Sequence, residues 1–187
     1  NTLVEILWTA IPVLILIVIA VPSFKLLYKQ DVIPEPDLTI KAIGYQWYWG
    51  YEYPDNGNFS YEAFMVQSED ELEEDKPFKR MLTTDTKVVV PVNKIIRMQI
   101  TAADVLHSWA VPAFGVKKDA VPGRLNETWF KPEKTGIFYG MCYELCGVNH
   151  QSMPIEIHVV TEQEFNDWVE ESKLKYAAKN NLIANKK

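Results

Sequence analysis

The hydrophobic pattern divides the chain into an apolar N-terminal stretch and a longer part in which apolar and polar positions alternate. From Ile6 to Val21 only Thr9 and Pro12 interrupt the apolar run. With its flanks this stretch can span a hydrocarbon core of ~30 Å, so we expect a transmembrane helix over residues 1–29. A signal peptide fits poorly, because no basic segment or small-residue cleavage site is evident. A buried helix of a soluble core is the other alternative.

After a proline-rich linker at residues 30–36 the apolar positions recur with period two, which is typical of strands. The stretch 45–53 is interpreted as one strand with five aromatic residues on one face: Tyr45, Trp47, Trp49, Tyr51 and Tyr53. Further strands are predicted at 38–42, 61–66, 87–92, 95–101, 106–111, 126–130, 136–141 and 155–160. Short strands with turn residues and no helices between them indicate an all-β, antiparallel sandwich or barrel over residues 37–160.

A soluble helix is predicted only near the end of the chain, in the segment 161–187. Thr161 and Glu164 have the spacing of a capping box, and the helical pattern continues to about Ala178 before a basic tail. Residues 69–75 hold six acids, which predicts a solvated loop or a single helical turn.

Composition narrows the function classes. The 187 residues are 48% hydrophobic and include 6 Trp and 9 Tyr, too apolar and aromatic for a disordered chain. With 19 basic and 25 acidic residues, the chain lacks the basic footprint of a nucleic-acid binder. Residues 30–172 alone carry 24 acids and 12 bases, a net charge of −12. Such a surface would steer a basic partner, although solubility alone explains it equally well.

The chemically informative stretch runs from Cys142 to Pro154 and holds two thiols, an imidazole and a thioether. A second imidazole, His107, lies upstream. Thiolate, thioether and imidazole together favour copper, and a second cysteine allows two thiolates to bridge two ions. The pattern therefore suggests a dinuclear, electron-sharing copper site.

Three other interpretations of the two cysteines stay open on these grounds. Cys142 and Cys146 could form a disulfide in a tight turn. Two cysteines and two histidines could bind a structural zinc ion, which leaves Met153 without a role. The cysteines could also be buried and inert. His158 alternates with Glu156 on the polar side of a strand and is expected to be an ordinary surface or half-buried histidine.

Four stretches together resemble subunit II of the haem–copper cytochrome c oxidases of bacteria and mitochondria. They are the aromatic run at 40–49, the Asp-Val-Leu-His-Ser-Trp motif at 104–109, the Asp-Ala-Val-Pro-Gly-Arg motif at 119–124 and the loop 142–154. The loop is shared with the copper domain of nitrous-oxide reductase, but the aromatic run and the membrane helix favour the oxidase.

This resemblance implies a cupredoxin-like Greek-key barrel that carries a dinuclear copper centre, CuA. By position, the family's copper ligands are His107, Cys142, Cys146, His150 and Met153, with Glu144 binding through its backbone carbonyl. The side chain of Glu144 matches the family's ligand to a magnesium ion at the interface with subunit I.

The resemblance also implies partners and a location. Trp47 matches the residue through which electrons enter from cytochrome c, and Glu52, Asp104 and Asp119 match its acidic docking positions. The other expected partners are subunit I, further oxidase subunits and the membrane. The copper domain should face the periplasm or the intermembrane space, from a bacterial plasma membrane or a mitochondrial inner membrane. The weak positive-inside signal, which alone would favour the cytoplasm, is overridden because long domains translocate largely regardless of charge.

The chain departs from the family pattern at its start and at Tyr45. Family members usually carry a hairpin of two membrane helices, and residues 1–29 resemble only the second, so a chain starting at Asn1 is expected to be a processed or partial form. Tyr45 stands where many relatives have histidine. Two alternatives from other classes are a structural zinc domain and a membrane-anchored copper chaperone of the Sco type, which pairs Cys-x-x-x-Cys with a distant histidine on a thioredoxin fold.

Overall fold

The computed structural model describes residues 1–72 and 77–184. The chain divides into two compact units, with the boundary between Pro34 and Glu35. The first unit is one helix, α1 (Thr2–Asp31), and each of its side chains is partly or fully exposed. An 18-residue window of α1 has a mean hydropathy of 2.6, so the helix is long and apolar enough to cross a membrane. It takes in the first two residues of the predicted linker and gives way to extended backbone at Val32, just before Pro34.

The second unit is a sandwich of two five-stranded sheets. In chain order the strands are β1 (Leu38–Tyr45), β2 (Tyr48–Tyr53), β3 (Phe59–Ala63), β4 (Val88–Pro91), β5 (Ile96–Ala102), β6 (His107–Val111), β7 (Val116–Ala120), β8 (Asn126–Phe130), β9 (Gly136–Cys142) and β10 (Pro154–Val160). One sheet has the order β3-β2-β1-β5-β8 and the other β4-β10-β9-β6-β7. The all-β prediction with one helix at each end is therefore confirmed.

The prediction of purely antiparallel sheets is wrong at two pairings. Strand β1 lies parallel to β5, and β4 lies parallel to β10. In both cases a long stretch of chain separates the partners, which is what a parallel crossover requires. Strand β7 was missed because its three central residues, Lys117 to Asp119, are polar and only its ends are buried.

Two inward faces form the core between the sheets. Strand β5 alternates buried and half-buried residues along its whole length, as period two predicts, and its Ile96, Met98 and Ile100 are fully buried. Trp109 and Ile157 contribute from the opposite sheet. Burying one such side chain contributes about 1.5–3 kcal/mol, so the core gives the edge loops a stiff support.

The stretch 45–53, predicted as one strand, belongs to two strands. Tyr45 pairs with Tyr48, which makes Gln46 and Trp47 the two residues of a hairpin turn between β1 and β2. The predicted common face holds for Trp49, Tyr51 and Tyr53, which are buried, while Trp47 lies in the turn. Alternation alone cannot reveal a two-residue turn, because two inserted residues leave the period-two pattern in phase.

The C-terminal helix α2 (Glu162–Ala184) packs on the edge of the sandwich. Its start has the predicted capping box: the Glu164 amide donates to Thr161 Oγ1 at 3.3 Å, and the Thr161 amide donates to Glu164 Oε2 at 2.8 Å. Trp168 then meets the rings of Tyr53 and Phe59, with centroids 5.0 and 5.6 Å away. The end of the predicted basic tail, 185–187, lies outside the described residues.

Two polar predictions are resolved only in part. The acidic stretch contains a single 3-10 turn, Glu69–Glu71, and its last three acids fall outside the described residues. His158 is half-buried, as expected, and bonds Glu156 at 2.7 Å. Placing Glu156 on a polar, solvent-facing side was wrong, however, because it is only 4% exposed. The connection between β3 and β4 covers it, and the Thr84 amide there donates to its carboxylate at 2.9 Å.

Candidate metal centre

The predicted ligands lie on three segments of one sheet. Cys142 ends β9, Met153 comes just before β10, and a hydrogen bond from the Cys142 amide to the Met153 carbonyl (3.1 Å) closes the loop between them. His107 opens β6, whose Trp109 pairs with Cys142 in the sheet register. The sheet therefore brings an imidazole 35 positions upstream beside the first thiol.

All six predicted donor atoms lie within one small cluster. Cys142 Sγ is 3.9 Å from His107 Nδ1, 3.9 Å from Cys146 Sγ and 3.4 Å from the Glu144 carbonyl oxygen. Cys146 Sγ is 3.4 Å from His150 Nδ1 and 3.5 Å from Met153 Sδ. The two thiols thus form the centre, and each has its own histidine.

These separations are close to the spacing of ligands around a metal ion. Two donors that bind one tetrahedral ion at 2.0–2.3 Å lie about 3.3–3.8 Å from each other. Three of the five separations, at 3.4–3.5 Å, lie within this range, and the other two, at 3.9 Å, lie just beyond it. The two cysteines are free and buried, so the chain presents soft donors at coordination distance in a place shielded from water. The residues present therefore fit a metal centre.

The arrangement of the histidines favours two ions over one. Within the described residues, the donors of His107, Cys142 and Cys146 all lie within 4.8 Å of one another, and His150 does not join this group. A single tetrahedral zinc ion would need two cysteines and two histidines mutually within about 3.8 Å. A disulfide is likewise disfavoured, since a bonded pair has sulfurs about 2.05 Å apart and these are 3.9 Å apart. The six donors would instead fit a dinuclear copper site.

The two thiols differ in acidity. Burial works to raise the pKa of the Cys142 thiol, but hydrogen bonds with His107 and with nearby backbone lower that pKa overall. Burial and the neighbouring Cys142 thiolate instead raise the pKa of Cys146 to about 12. The first thiolate therefore forms readily, and the second needs a positive charge close by, which a soft metal ion would provide.

His107 is held tightly from several sides. The residue is completely buried, and its ring meets the edge of Trp49 with centroids 6.0 Å apart. On strand β1 of the opposite sheet, a Cβ at Gly44 would come within 2.7 Å of the imidazole Cδ2. A glycine is needed there because any side chain would displace the ring, a requirement that the sequence pattern did not reveal.

The Gln46–Trp47 turn is attached to the metal loop. Gln46 Nε2 and Trp47 Nε1 both donate to the Cys146 carbonyl oxygen, at 2.8 and 3.2 Å. Gly147 follows with φ +124, and a Cβ there would lie 2.9 Å from Trp47 Cζ2. Trp47, half-buried, is thus in direct contact with the ligand loop. Gln46 and Gly147 were missed, because nothing local to either residue signals this contact.

The three predicted docking acids occupy different surroundings. Glu52, on β2, is half-buried and pairs with Lys41 at 3.0 Å. Asp119 is exposed on β7. Asp104 lies between β5 and β6 and accepts a hydrogen bond from the ligand candidate His107 at 2.8 Å. Asp104 is therefore part of the metal site's surroundings, whatever its role at the surface.

Family models match both units of the chain. Residues 38–160 match the model "Cytochrome C oxidase subunit II, periplasmic domain", and residues 1–26 match "Cytochrome C oxidase subunit II, transmembrane domain". The chain therefore combines a membrane-spanning helix with a periplasmic β domain, in agreement with the expected location.

Curated relatives give the same result. A probable cytochrome c oxidase subunit 2 of Rickettsia bellii is 51% identical over 185 residues, covering 99% of this chain and 65% of the relative. The cytochrome c oxidase subunit 2 of Cereibacter sphaeroides is 48% identical over 188 residues, covering 92% of this chain and 62% of the relative. The chain thus spans just under two thirds of the length of these two relatives.

Solved structures resemble the β domain closely. The periplasmic domain of subunit II (CoxB) of Bradyrhizobium japonicum superposes with a TM-score of 0.71 at 57% identity, covering 78% of this chain and 99% of that one. A mixed-disulfide intermediate between a thioredoxin-like TlpA protein and cytochrome c oxidase subunit II matches with a TM-score of 0.67 at 55% identity, covering 78% and 96%. With family models matching both its membrane helix and its cupredoxin-like domain, the chain belongs to the cytochrome c oxidase subunit II family.

Proposed function

We propose that this chain is the electron-transfer subunit of a respiratory cytochrome c oxidase. Its six clustered donors would hold a dinuclear copper centre, and it would accept electrons from cytochrome c and pass them to haem in subunit I. Oxygen reduction to water and proton pumping would take place in the assembled enzyme, with the oxygen chemistry in subunit I. Membership of the family supports this proposal, because the relatives from Rickettsia bellii and Cereibacter sphaeroides are named as oxidase subunits.

The observation that carries the proposal is the arrangement of the donors. Two buried thiols lie 3.9 Å apart, each with its own imidazole, and Met153 and the Glu144 carbonyl complete the set. Copper in such a set supplies one-electron redox chemistry. The protein's contribution is rigidity, because ligands anchored at β-strand ends and closed by backbone hydrogen bonds hold their positions in either oxidation state.

Trp47 supports an entry route for electrons. Its indole contacts the ligand loop directly, through a hydrogen bond to the Cys146 carbonyl oxygen, and its ring is half-buried rather than sealed in the core. Simple packing explains the buried aromatic residues of β2, but it does not require the hydrogen bond that Trp47 makes from the turn before β2. We therefore propose Trp47 as the residue through which electrons enter from cytochrome c.

Magnesium is proposed on the resemblance alone. Glu144 would bind copper through its backbone carbonyl, which lies 3.4 Å from Cys142 Sγ. The carboxylate is then available for a second, harder ion at the boundary with subunit I, since carboxylate oxygens suit magnesium.

Metal content tests the main proposal. The purified chain loaded with copper should contain two copper ions and, when oxidised, show an EPR spectrum with hyperfine structure from two near-equivalent nuclei. One zinc ion per folded chain, or a disulfide between Cys142 and Cys146 in the copper-loaded protein, would contradict it. The chaperone alternative is less well supported, because its thioredoxin fold alternates helices and strands, whereas ten strands here follow one another without an intervening α-helix in the described residues.

A further inference from the structure

Asp104 contacts three hydrogen-bond donors that belong to different parts of the site. Its Oδ1 lies 2.8 Å from His107 Nε2 and accepts from the Val105 amide at 2.7 Å. Its Oδ2 accepts from the Gln46 amide at 2.7 Å, across 58 positions of sequence. A single carboxylate therefore links the β5–β6 connection, a candidate copper ligand and the β1–β2 turn.

The carboxylate determines which nitrogen of His107 carries the proton. A neutral imidazole has one donor and one acceptor nitrogen, and an ionised carboxylate can only accept. Asp104 also accepts hydrogen bonds from the Val105 and Gln46 backbone amides, and hydrogen bonds of this kind favour the carboxylate form. The proton of His107 is thus held on Nε2, and the lone pair of Nδ1 points towards Cys142 Sγ, 3.9 Å away.

The β1–β2 turn that Asp104 binds also forms hydrogen bonds with the ligand loop at Cys146. Gln46 uses its backbone amide for Asp104 and its side-chain amide for the Cys146 carbonyl oxygen, 100 positions away. One residue of the turn therefore connects the His107 side of the cluster with the Cys146 side. A carboxylate that served only as a surface charge would not need the hydrogen bond from the Gln46 backbone amide.

We infer that Asp104 is a positioning residue of the metal centre, which holds His107 with Nδ1 directed towards Cys142 Sγ and couples the ring to the Gln46–Trp47 turn. This role differs from the docking charge that the family resemblance implies. The inference rests on the proposed function, because it requires copper at the clustered donors.

Three variants of the 187-residue chain in detergent test it: Asp104→Ala, Asp104→Asn and Asp119→Asn. Asp119→Asn is the matched control, since it removes the same charge from an exposed acid of the same predicted docking set. Asparagine at 104 keeps an acceptor oxygen without the charge. The measurements are copper affinity by chelator competition, the reduction potential, and the hyperfine couplings of the histidine ring by paramagnetic NMR.

Asp104→Ala should weaken copper binding about 10- to 100-fold and change the His107 couplings, as loss of the partner of a metal-binding histidine typically does. Asp104→Asn should recover most of the affinity and raise the reduction potential more than Asp119→Asn does, because a neutral acceptor makes the imidazole a poorer donor. Asp119→Asn should leave the copper affinity and the hyperfine couplings of His107 unchanged. If both position-104 variants match Asp119→Asn in all three measurements, the inference is wrong.

Two further outcomes are decisive. If Asp104→Ala does not fold, Asp104→Asn still decides, because an equal potential shift and equal couplings in Asp104→Asn and Asp119→Asn would overturn the inference. If the unmodified chain binds no copper pair, the proposed function itself fails and the role of Asp104 falls with it. If the unmodified chain shows the expected copper signal and neither substitution at position 104 changes it, only the inference about Asp104 is wrong and the proposed function stands.

Discussion

At the scale of single residues, the donors of the proposed copper centre should differ in how strongly their replacement affects the bound copper. Cys142 and Cys146 each contact several other donors, and a bridging thiolate would touch both ions. Replacing either cysteine with serine should abolish the shared-valence EPR spectrum. Met153→Leu should leave copper bound and shift the reduction potential, because a thioether is a weak axial ligand.

Copper content and redox titration of these variants check the assignment. Loss of copper in Met153→Leu, together with an intact shared-valence spectrum in Cys142→Ser, would show that the ligand roles are assigned wrongly. Met141→Leu is a useful control, because Met141 lies one position before the first cysteine on the same strand and is not a predicted ligand.

Glu144 offers a separate prediction because its two proposed metal contacts use different atoms. Its carbonyl lies at the thiol of Cys142 and survives any side-chain substitution. In the assembled oxidase, Glu144→Gln should therefore keep both copper ions and weaken binding of magnesium, measured as manganese by EPR after exchange. Unchanged manganese binding would remove the side chain from the magnesium site, and lost copper would show that the side chain matters to the copper loop.

At the scale of elements, Glu156 joins the β3–β4 connection to the sheet. Its carboxylate accepts from the Thr84 amide, bonds His158 and lies 4.0 Å from Lys87 Nζ. Burial works to raise the pKa of Glu156, but these hydrogen bonds and charges lower that pKa overall. Because the pKa is lower in the folded chain than in the unfolded one, the carboxylate stabilises the fold fully above about pH 4.3. That contribution disappears as the pH falls through the folded-state pKa.

Glu156→Gln should therefore lower the free energy of unfolding at pH 7 by about 1–3 kcal/mol. The difference from the unmodified chain should shrink as the pH drops below about 4. Denaturant unfolding at several pH values measures both. Glu170→Gln is the control, because Glu170 forms an exposed pair with Lys173 on α2, and such pairs contribute at most about 1 kcal/mol. A deficit in Glu156→Gln that persists unchanged at low pH would show that packing, rather than charge, is responsible.

At the scale of the whole molecule, docking and electron entry should separate experimentally. Residues 30–172 carry a net charge of −12, which should attract a basic cytochrome c at long range. The attraction should fade with salt, because the Debye length falls from ~30 Å at 0.01 M to ~10 Å at 0.1 M. Asp119→Asn should weaken docking mainly at low salt. Glu52→Gln should have a smaller effect, since Lys41 already offsets the charge of Glu52.

Trp47→Phe should instead slow electron transfer within the docked complex and leave affinity and copper content almost unchanged. Flash photolysis across a salt series resolves the two steps. Gln46→Ala is the matched control, because it removes the other hydrogen bond to the Cys146 carbonyl and keeps the indole. A Trp47→Phe variant altered only in affinity or stability, or a Gln46→Ala variant that is equally slow, would show that electrons enter elsewhere.

The sequence by itself determined the features that depend on local chemistry. The apolar run, the period-two strands, the capping box at Thr161 and the donor types in the loop 142–154 are all readable within short windows. A metal-binding loop of this kind is local, because its thiols, second imidazole and thioether lie within twelve positions and only His107 comes from elsewhere. The overall class of fold and the set of candidate ligands followed from these windows.

Tertiary structure decided the features that depend on contacts between distant residues. The turn at Gln46 is defined by bonds to Asp104 and Cys146, 58 and 100 positions away, so no local pattern distinguished it from a continuous strand. The burial of Glu156 depends on the β3–β4 connection, whose Thr84 lies 72 positions away in the sequence. The parallel pairing of β1 with β5 depends on a long crossover. Spacing along a chain restricts which residues are near each other locally, whereas packing of the two sheets determines which distant groups share a hydrogen bond.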